Sequence, residues 1–271
     1  MPRFILKIGA VSGFAGLLAL GAAAIVPAAE RTAFRSVEVV GTEFRVASDD
    51  GTVLQGAALV GAVLTIAGPA GRPVRLRIDS VERDAQDPEV VLHGFSTWNP
   101  ASGGWDDLCQ PDAQGVRQGF PMRGALAGDS EYQPDAPGFS LTCSAGVQAK
   151  CVRWGYKPWK ADVDGVRMLD LYRACMRMTR ADYCGDGRGT TRNGTPIDLY
   201  DRVGIQKPEP RSAMSFEAAW GPQGALCVRH TRVPQNITLH ELASTCPRLA
   251  PTLGERCGED MPGALLFNKS F

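Results

Sequence analysis

The sequence predicts an α+β protein: an antiparallel β-rich N-terminal module followed by a disulfide-stapled helix/hairpin domain. Three observations carry this. Residues 37–98 alternate apolar and polar side chains between turn-forming residues, the period of a half-buried strand. Sustained helical spacing begins only after Ser144. Eight cysteines, all from Cys109 onward, follow a hydrophobic leader, and an even count in an exported chain reads as disulfides.

The leader has the pattern of a secretory signal. Arg3 and Lys7 form a positive n-region, Ile8 to Ile25 is apolar, and Val26-Pro27-Ala28 offers small residues for cleavage after Ala28. No Cys stands near the cut, which argues against a lipoprotein anchor. The rival is an uncleaved anchor, since about 20 apolar residues can span a bilayer. The small residues and Pro27 favour cleavage, giving a secreted or periplasmic protein with no further membrane span. Of the 29 basic residues cleavage removes Arg3 and Lys7, so the mature chain carries 27 against 29 acidic ones. That balance argues against general nucleic-acid binding, which needs an excess of Lys and Arg.

The expected organisation is a signal peptide over 1–28, a β-rich module with its connecting region over 29–139, and a second domain over 140–271. In the first module Val74, Leu76 and Ile78 alternate with Arg75, Arg77 and Asp79. Asp49-Asp50-Gly51 and Gly68-Pro69-Ala70-Gly71 read as turns, and Val90 to Phe95 as a further strand. The Gly-, Pro-, Asp- and Ser-rich stretch 99–139 is an ordered connection pinned by Cys109. Trp98 and Trp105 at its start either stack on a sugar or peptide or pack internally.

In the second domain Ser144 is placed to cap a helix bearing Val147, Cys151 and Trp154, with Gly155 ending it. Asp162 or Asp164 is placed to start a second helix, with Leu169, Tyr172, Met176 and Thr179 on its apolar face. Arg173, Arg177 and Arg180 share another face: a solvated basic stripe offsetting the helix dipole, or an anion site. Phe216 to Trp220, Gly221 to Gly224 and Leu226 to Val233 form a hairpin. Thr238 to Glu241 is a capping box. Ala264 to Phe267 is a terminal strand. All eight cysteines (Cys109, Cys143, Cys151, Cys175, Cys184, Cys227, Cys246 and Cys257) are expected in disulfides. Eight allow 105 pairings. Closeness in sequence favours Cys109–Cys143 and Cys246–Cys257. No Cys-x-x-Cys pair suggests structural zinc.

Several strings in this half carry a resemblance. RADYCGDG from Arg180 to Gly187, CVRWGYKPW from Cys151 to Trp159, NGTPIDLYD from Asn193 to Asp201 and SFEAAW from Ser215 to Trp220 resemble bacterial ADYC-domain proteins. The ordered set, over roughly 140–260 and more loosely upstream, is specific where the four-letter motif alone is weak. The resemblance implies an exported bacterial protein and implies no activity. Family members often carry His where Tyr172 stands here, so it lends that position no acid or base role.

Candidate chemistry gathers in Cys175–Asp201. Cys184 is either a nucleophile, with His230 or His240 as base, or half of a disulfide. Asp182, Asp186, Asp198 and Asp201 either bind calcium, supply an acid/base pair, or tie down the loop through Asx turns and salt bridges. His240-Glu241 lacks a His at position 244, no Gly-x-Ser-x-Gly elbow occurs, and the Gly-rich loop lacks the Gly-Lys-Ser/Thr ending of a phosphate loop.

The function expected is a non-catalytic binding or structural module. Its surface joins Arg173, Arg177 and Arg180 to Asp198 and Asp201. Its ligand is a protein, glycan or small molecule. A hydrolase using Cys184 or the carboxylates Asp182 and Asp186 is the first alternative, and a calcium-stabilised adhesion module the second. No metal site or cofactor is expected, calcium being the one ion the Asp residues suit.

Overall fold

The computed structural model describes residues 4–5, 33–68, 71–127 and 131–271. The signal peptide expected over 1–28 therefore lies outside the described residues, apart from Phe4–Ile5. The chain divides into two units, Met1–Met122 and Arg123–Phe271.

Among the described residues the first unit is built from strands, with one short helical turn over Gly56–Leu59. β1 (Phe4–Ile5), β2 (Ala33–Val40), β3 (Glu43–Ser48) and β4 (Val53–Gln55) pair in that order. β5 (Val63–Ala67), β6 (Pro73–Arg83), β7 (Val91–Asn99) and β9 (Gln118–Arg123) form a second sheet, with β8 (Gly104–Asp107) also paired to β7. The period-two reading of β6 holds: Leu76 and Ile78 are fully buried, whereas Arg75 and Asp79 are exposed. The Asp49–Gly51 turn joins β3 to β4, with Gly51 at φ +88° and Asp50 Oδ1 accepting from the Thr52 amide at 2.8 Å.

Phe44 of β3 meets the rings of His93 and Phe95 of β7 edge-on, at 5.9 and 6.3 Å. Thr42 Oγ1 accepts from the Val91 amide at 2.7 Å, so the two sheets are joined by polar as well as apolar contacts. Trp98 and Trp105 lie edge to face at 5.5 Å. The guanidinium of Arg75 covers Trp98 at 4.2 Å and that of Arg77 covers Trp105 at 4.6 Å, so this Trp pair already holds two cations. Cys109 is buried and disulfide-bonded.

The second unit contains β10 (Ala125–Ala127), β11 (Glu131–Gln133), β12 (Phe139–Cys143), α1 (Val147–Arg153), α2 (Met168–Arg180), β13 (Asp198–Asp201), β14 (Ser215–Gly221), β15 (Gly224–Val228), α3 (Leu239–Thr245) and β16 (Leu266–Ser270). β10 and β11 form a hairpin. β13, β16, β14 and β15 form an antiparallel sheet in that order, and α2 packs on its last three strands. The expected hairpin and the Thr238–Glu241 capping box are both present.

Three local expectations are corrected. Ser144 does not cap α1: Gly146 is the N-cap, and the Ser144 hydroxyl is buried without a hydrogen-bond partner among the described residues. Neither Asp162 nor Asp164 starts α2. Val163 and Val166 bridge across a turn in which Asp164 and Gly165 take φ +49° and +77°, a left-handed pair that a right-handed helix cannot include. α2 starts at Met168, with Arg167 bonded through two nitrogens to Asp170 at 2.8 and 2.9 Å. Its burial is also broader than one stripe: Leu171, Ala174, Cys175 and Met178 are fully buried beside Tyr172 and Met176. A helix with α1 and a sheet against it buries most of its circumference.

Cys151–Cys175 joins α1 to α2, and Cys227–Cys257 ties β15 to the segment before β16. The closures span 24 and 30 positions, and each stabilises the fold by roughly 3–4 kcal/mol through the unfolded chain. Cys143 is also disulfide-bonded. The expected Cys246–Cys257 bond is overturned, because strand β15 brings Cys227, not Cys246, to Cys257. Cys184 and Cys246 carry free thiols.

His93 has no exposed surface, stacks on Phe95 at 5.3 Å, and has no hydrogen-bond partner at either ring nitrogen among the described residues. Burial pushes its pKa down from 6.5 to about 4; the Val91 backbone opposes this slightly from outside hydrogen-bonding geometry. Folded, the ring stays neutral down to about 4; unfolded, it protonates below 6.5. The unfolded chain thus binds more protons in that window, and stability falls as pH drops through it, by about 3 kcal/mol in all. Urea unfolding at about pH 7 and about pH 4 should show this loss in the wild type, and His93→Phe should remove most of it. An equal loss in the variant would exclude His93 as its source.

Candidate functional site

The site grows out of the end of α2. Arg180 closes the helix and Ala181 turns left-handed at φ +51°, with the Asp182 amide donating back to the Arg177 carbonyl at 2.9 Å. The Thr190 and Thr191 amides donate to the Arg180 carbonyl at 3.0 and 3.3 Å, and Thr190 Oγ1 donates to the Ala181 carbonyl at 2.7 Å. The returning loop thereby supplies the donors that a helix end lacks.

Each residue of Ala181–Cys184 has a distinct task. The fully buried Asp182 carboxylate accepts from Arg177 Nη1 at 2.6 Å and from the Gly185 and Gly187 amides at 2.9 and 3.0 Å. A buried carboxylate with one cation and two N–H donors is compensated on every side. Tyr183 stacks on Trp220 at 5.3 Å and donates its hydroxyl to Glu217 Oε1 at 2.9 Å. At Gly185, φ +75°, an added Cβ would lie 1.6 Å from the Gln223 carbonyl oxygen. Only glycine lets this loop touch the β14–β15 turn backbone to backbone.

Tyr183 leads into a polar network that sequence reasoning missed. Glu217 and Arg232 are ion-paired at 3.0 Å with side chains 0% and 2% exposed. Arg232 also donates from Nη1 to the Thr179 carbonyl at 3.1 Å and from Nη2 to that of Met178 at 2.8 Å, capping α2 with a cation. Its own amide donates to the Tyr183 hydroxyl at 2.9 Å. Asn268 Nδ2 donates to Glu217 Oε2 at 2.6 Å and Asn268 Oδ1 accepts from Trp220 Nε1 at 2.8 Å. The available signal was a lone carboxylate inside the apolar strand Ser215–Gly221.

These residues fall within a known family. The chain matches the ADYC domain over residues 56–234, about two thirds of its length. It belongs to the ADYC-domain family. No curated protein and no solved structure matches it. The family match begins at Gly56, within the first unit, and ends just after Arg232.

In this ADYC-domain chain the anticipated site residues are placed as follows. Arg173 donates to the Tyr132 carbonyl at 3.0 Å, while its Nε is buried without a partner among the described residues. Arg177 holds Asp182, and Arg180 bonds the Gly187 carbonyl. Asp186 accepts from the Arg188 amide at 2.9 Å in an exposed Asx turn. Asp198 accepts from the Glu209 amide at 3.0 Å and lies 3.6 Å from Lys269 Nζ. Asp201 accepts from Tyr156 and from the Val203, Ile205 and Gln206 amides, at 2.9, 2.9, 3.1 and 2.6 Å. Each of these carboxylates is engaged by donors of the chain. Among the described residues no group of three or more His, Cys, Asp or Glu could hold a metal ion.

The structure does not join Cys184 to a histidine. His230 Nε2 lies 3.0 Å from Ser270 Oγ, and His240 is exposed in the first turn of α3. Burial and the adjoining Cys246 thiol push Cys184 up to about 12, with Arg248 opposing only in part. A thiol so raised is not a thiolate at neutral pH. Tyr172, fully buried and edge to face with Tyr132 at 5.4 Å, is held well above its usual value of 10 by burial.

A groove of about 500 Å³ opens between α1 and the loop that follows the signature. Lys150, Arg180 and Arg192 bring cations to it, Trp154 a half-buried indole, and Asn193 and Thr195 polar groups. No Asp or Glu is among the described residues lining it. Arg232 reaches it already neutralised by Glu217.

Breaking the Glu217–Arg232 pair should be severe, because either single change leaves a buried charge alone. Glu217→Gln or Arg232→Met should each destabilise the unit by about 3–5 kcal/mol, and the double variant by less than the sum. Urea unfolding of the four proteins checks this. Strictly additive losses would mean that the two side chains act independently.

Proposed function

We propose that this protein is an exported, non-catalytic binding module whose ligand is an acidic oligosaccharide. The observation that carries the reading is the groove with three cationic side chains, a flat indole and no carboxylate among the described residues of its lining. Its volume lies within the range of ligand pockets, about 300–1,000 Å³. Lys and Arg suit carboxylate or sulfate groups on the sugar, and Trp154 offers a face on which a pyranose ring can stack. Non-catalytic binding is further supported by the state of the expected reactive groups. Asp182 and Asp201 are saturated with hydrogen bonds, and Cys184 is a high-pKa thiol beside another cysteine.

Export belongs to the same reading. It is supported by the charged and apolar pattern of the first 28 residues and by cystines that persist only in oxidising compartments. Among the described residues no helix is long and apolar enough to cross a membrane.

Calorimetric titration of the mature chain with an acidic oligosaccharide and a neutral one of equal length tests the proposal. The acidic sugar should bind, more weakly as salt rises, and the neutral one should not. Lys150→Glu combined with Arg192→Glu should lower affinity by at least roughly tenfold, about 1.4 kcal/mol, with an unchanged thermal midpoint. Equal binding of the two sugars, or an affinity indifferent to the double substitution, would overturn the assignment.

A further inference from the structure

Cys184 and Cys246 stand apart from the other cysteines in carrying free thiols, yet the fold brings the segments that bear them together. The contact is built by backbone anchoring. Arg248, two positions beyond Cys246, donates from Nη2 to the carbonyls of Tyr183 and Cys184, at 2.9 and 3.1 Å. Its Nη1 donates to the Ala225 carbonyl at 2.6 Å. One guanidinium thus fastens the turn after α3 to the signature loop and to β15. Cys184 lines a small cavity with Leu242 and Thr245 of α3, the latter adjacent in sequence to Cys246. The Cys246 thiol is near enough to Cys184 to help raise its pKa.

We propose that Cys184 and Cys246 are a redox site: a fourth disulfide that opens and closes by thiol–disulfide exchange while the buried cystines stay closed. Closure takes a disulfide oxidant, a small-molecule disulfide or the disulfide of an oxidoreductase. The Cys184 thiolate attacks one oxidant sulfur, the oxidant S–S bond breaks, and the departing thiolate keeps the electron pair and takes up a proton. Cys246, deprotonated, then attacks the Cys184 sulfur of the mixed disulfide and expels the second oxidant thiol. Two protein thiols are oxidised, and one oxidant disulfide is reduced to two thiols. Opening is the reverse, with a dithiol as reductant.

Access separates Cys184 from the Cys151–Cys175 and Cys227–Cys257 cystines, because an attacking thiolate must reach a sulfur. Cys184 is half-exposed, whereas Cys151, Cys175 and Cys227 have no exposed surface and Cys257 only 2%. The high Cys184 pKa makes the reduced pair slow to react near neutral pH, in keeping with a structural switch rather than a catalytic nucleophile. The bond would tie the signature loop to α3 covalently, where Arg248 now ties it by hydrogen bonds alone.

The test is peptide mapping of the full mature chain recovered from an oxidising compartment, alkylated without reduction. One cross-linked peptide joining Cys184 to Cys246 is expected, with neither residue alkylated. In a native titration with dithiothreitol these two should become alkylated at a reductant concentration about tenfold below that needed for Cys151, Cys175, Cys227 or Cys257. Cys246→Ala should leave Cys184 alkylatable without reductant. Free Cys184 in the oxidised wild type, a bond from Cys184 to any other cysteine, or earlier opening of a buried cystine would each overturn the proposal.

Discussion

The ion pair between Glu217 and Arg232 is the contact on which the second unit depends. Both side chains are almost fully out of solvent, which is unfavourable unless every charge and lone pair is matched. The match recruits five separate pieces of chain. Tyr183 comes from the signature loop, Asn268 from β16, Trp220 from β14, and the Met178 and Thr179 carbonyls from the end of α2. Arg232 itself enters from beyond β15. Because the charges tolerate only this arrangement, they fix where α2 ends over its sheet.

The signature Ala181–Cys184 is the mechanical counterpart of that network. Ala181 reverses the chain, Asp182 gathers two loop amides and the Arg177 guanidinium, and Tyr183 plugs into the ion pair. Cys184 faces Cys246 under the grip of Arg248. A cluster of Asp, Arg, Cys and Gly resembles an active site in sequence, because catalysis and tight loop closure draw on the same side chains. Here hydrogen bonding within the chain engages them, and the groove proposed to take a ligand runs beside them, lined by Lys150, Arg180 and Arg192.

Local patterns were legible where the physics is local. The alternation in β6, the Asp50-Gly51 turn, the β14–β15 hairpin and the Thr238–Glu241 capping box each follow from neighbours within a few positions. The start of α2 was misread because a bridge between Val163 and Val166 overrode the capping preference of two aspartates. The cationic groove went unnoticed because Lys150 and Arg192 are 42 positions apart and share no period.

By itself the sequence determined the α+β class, the family and the chemical stock: an even set of cysteines, a near-neutral charge and a loop dense in Asp, Arg and Gly. Those properties are composition and short-range pattern, readable along one dimension. Only the tertiary structure decided which cysteines bond, which arginine meets which carboxylate and which cationic side chains share a groove. Pairing is a question of distance across the fold: Cys227 reaches Cys257 rather than Cys246, and Arg177 rather than Arg180 holds Asp182, because strand register and a single left-handed residue set those distances.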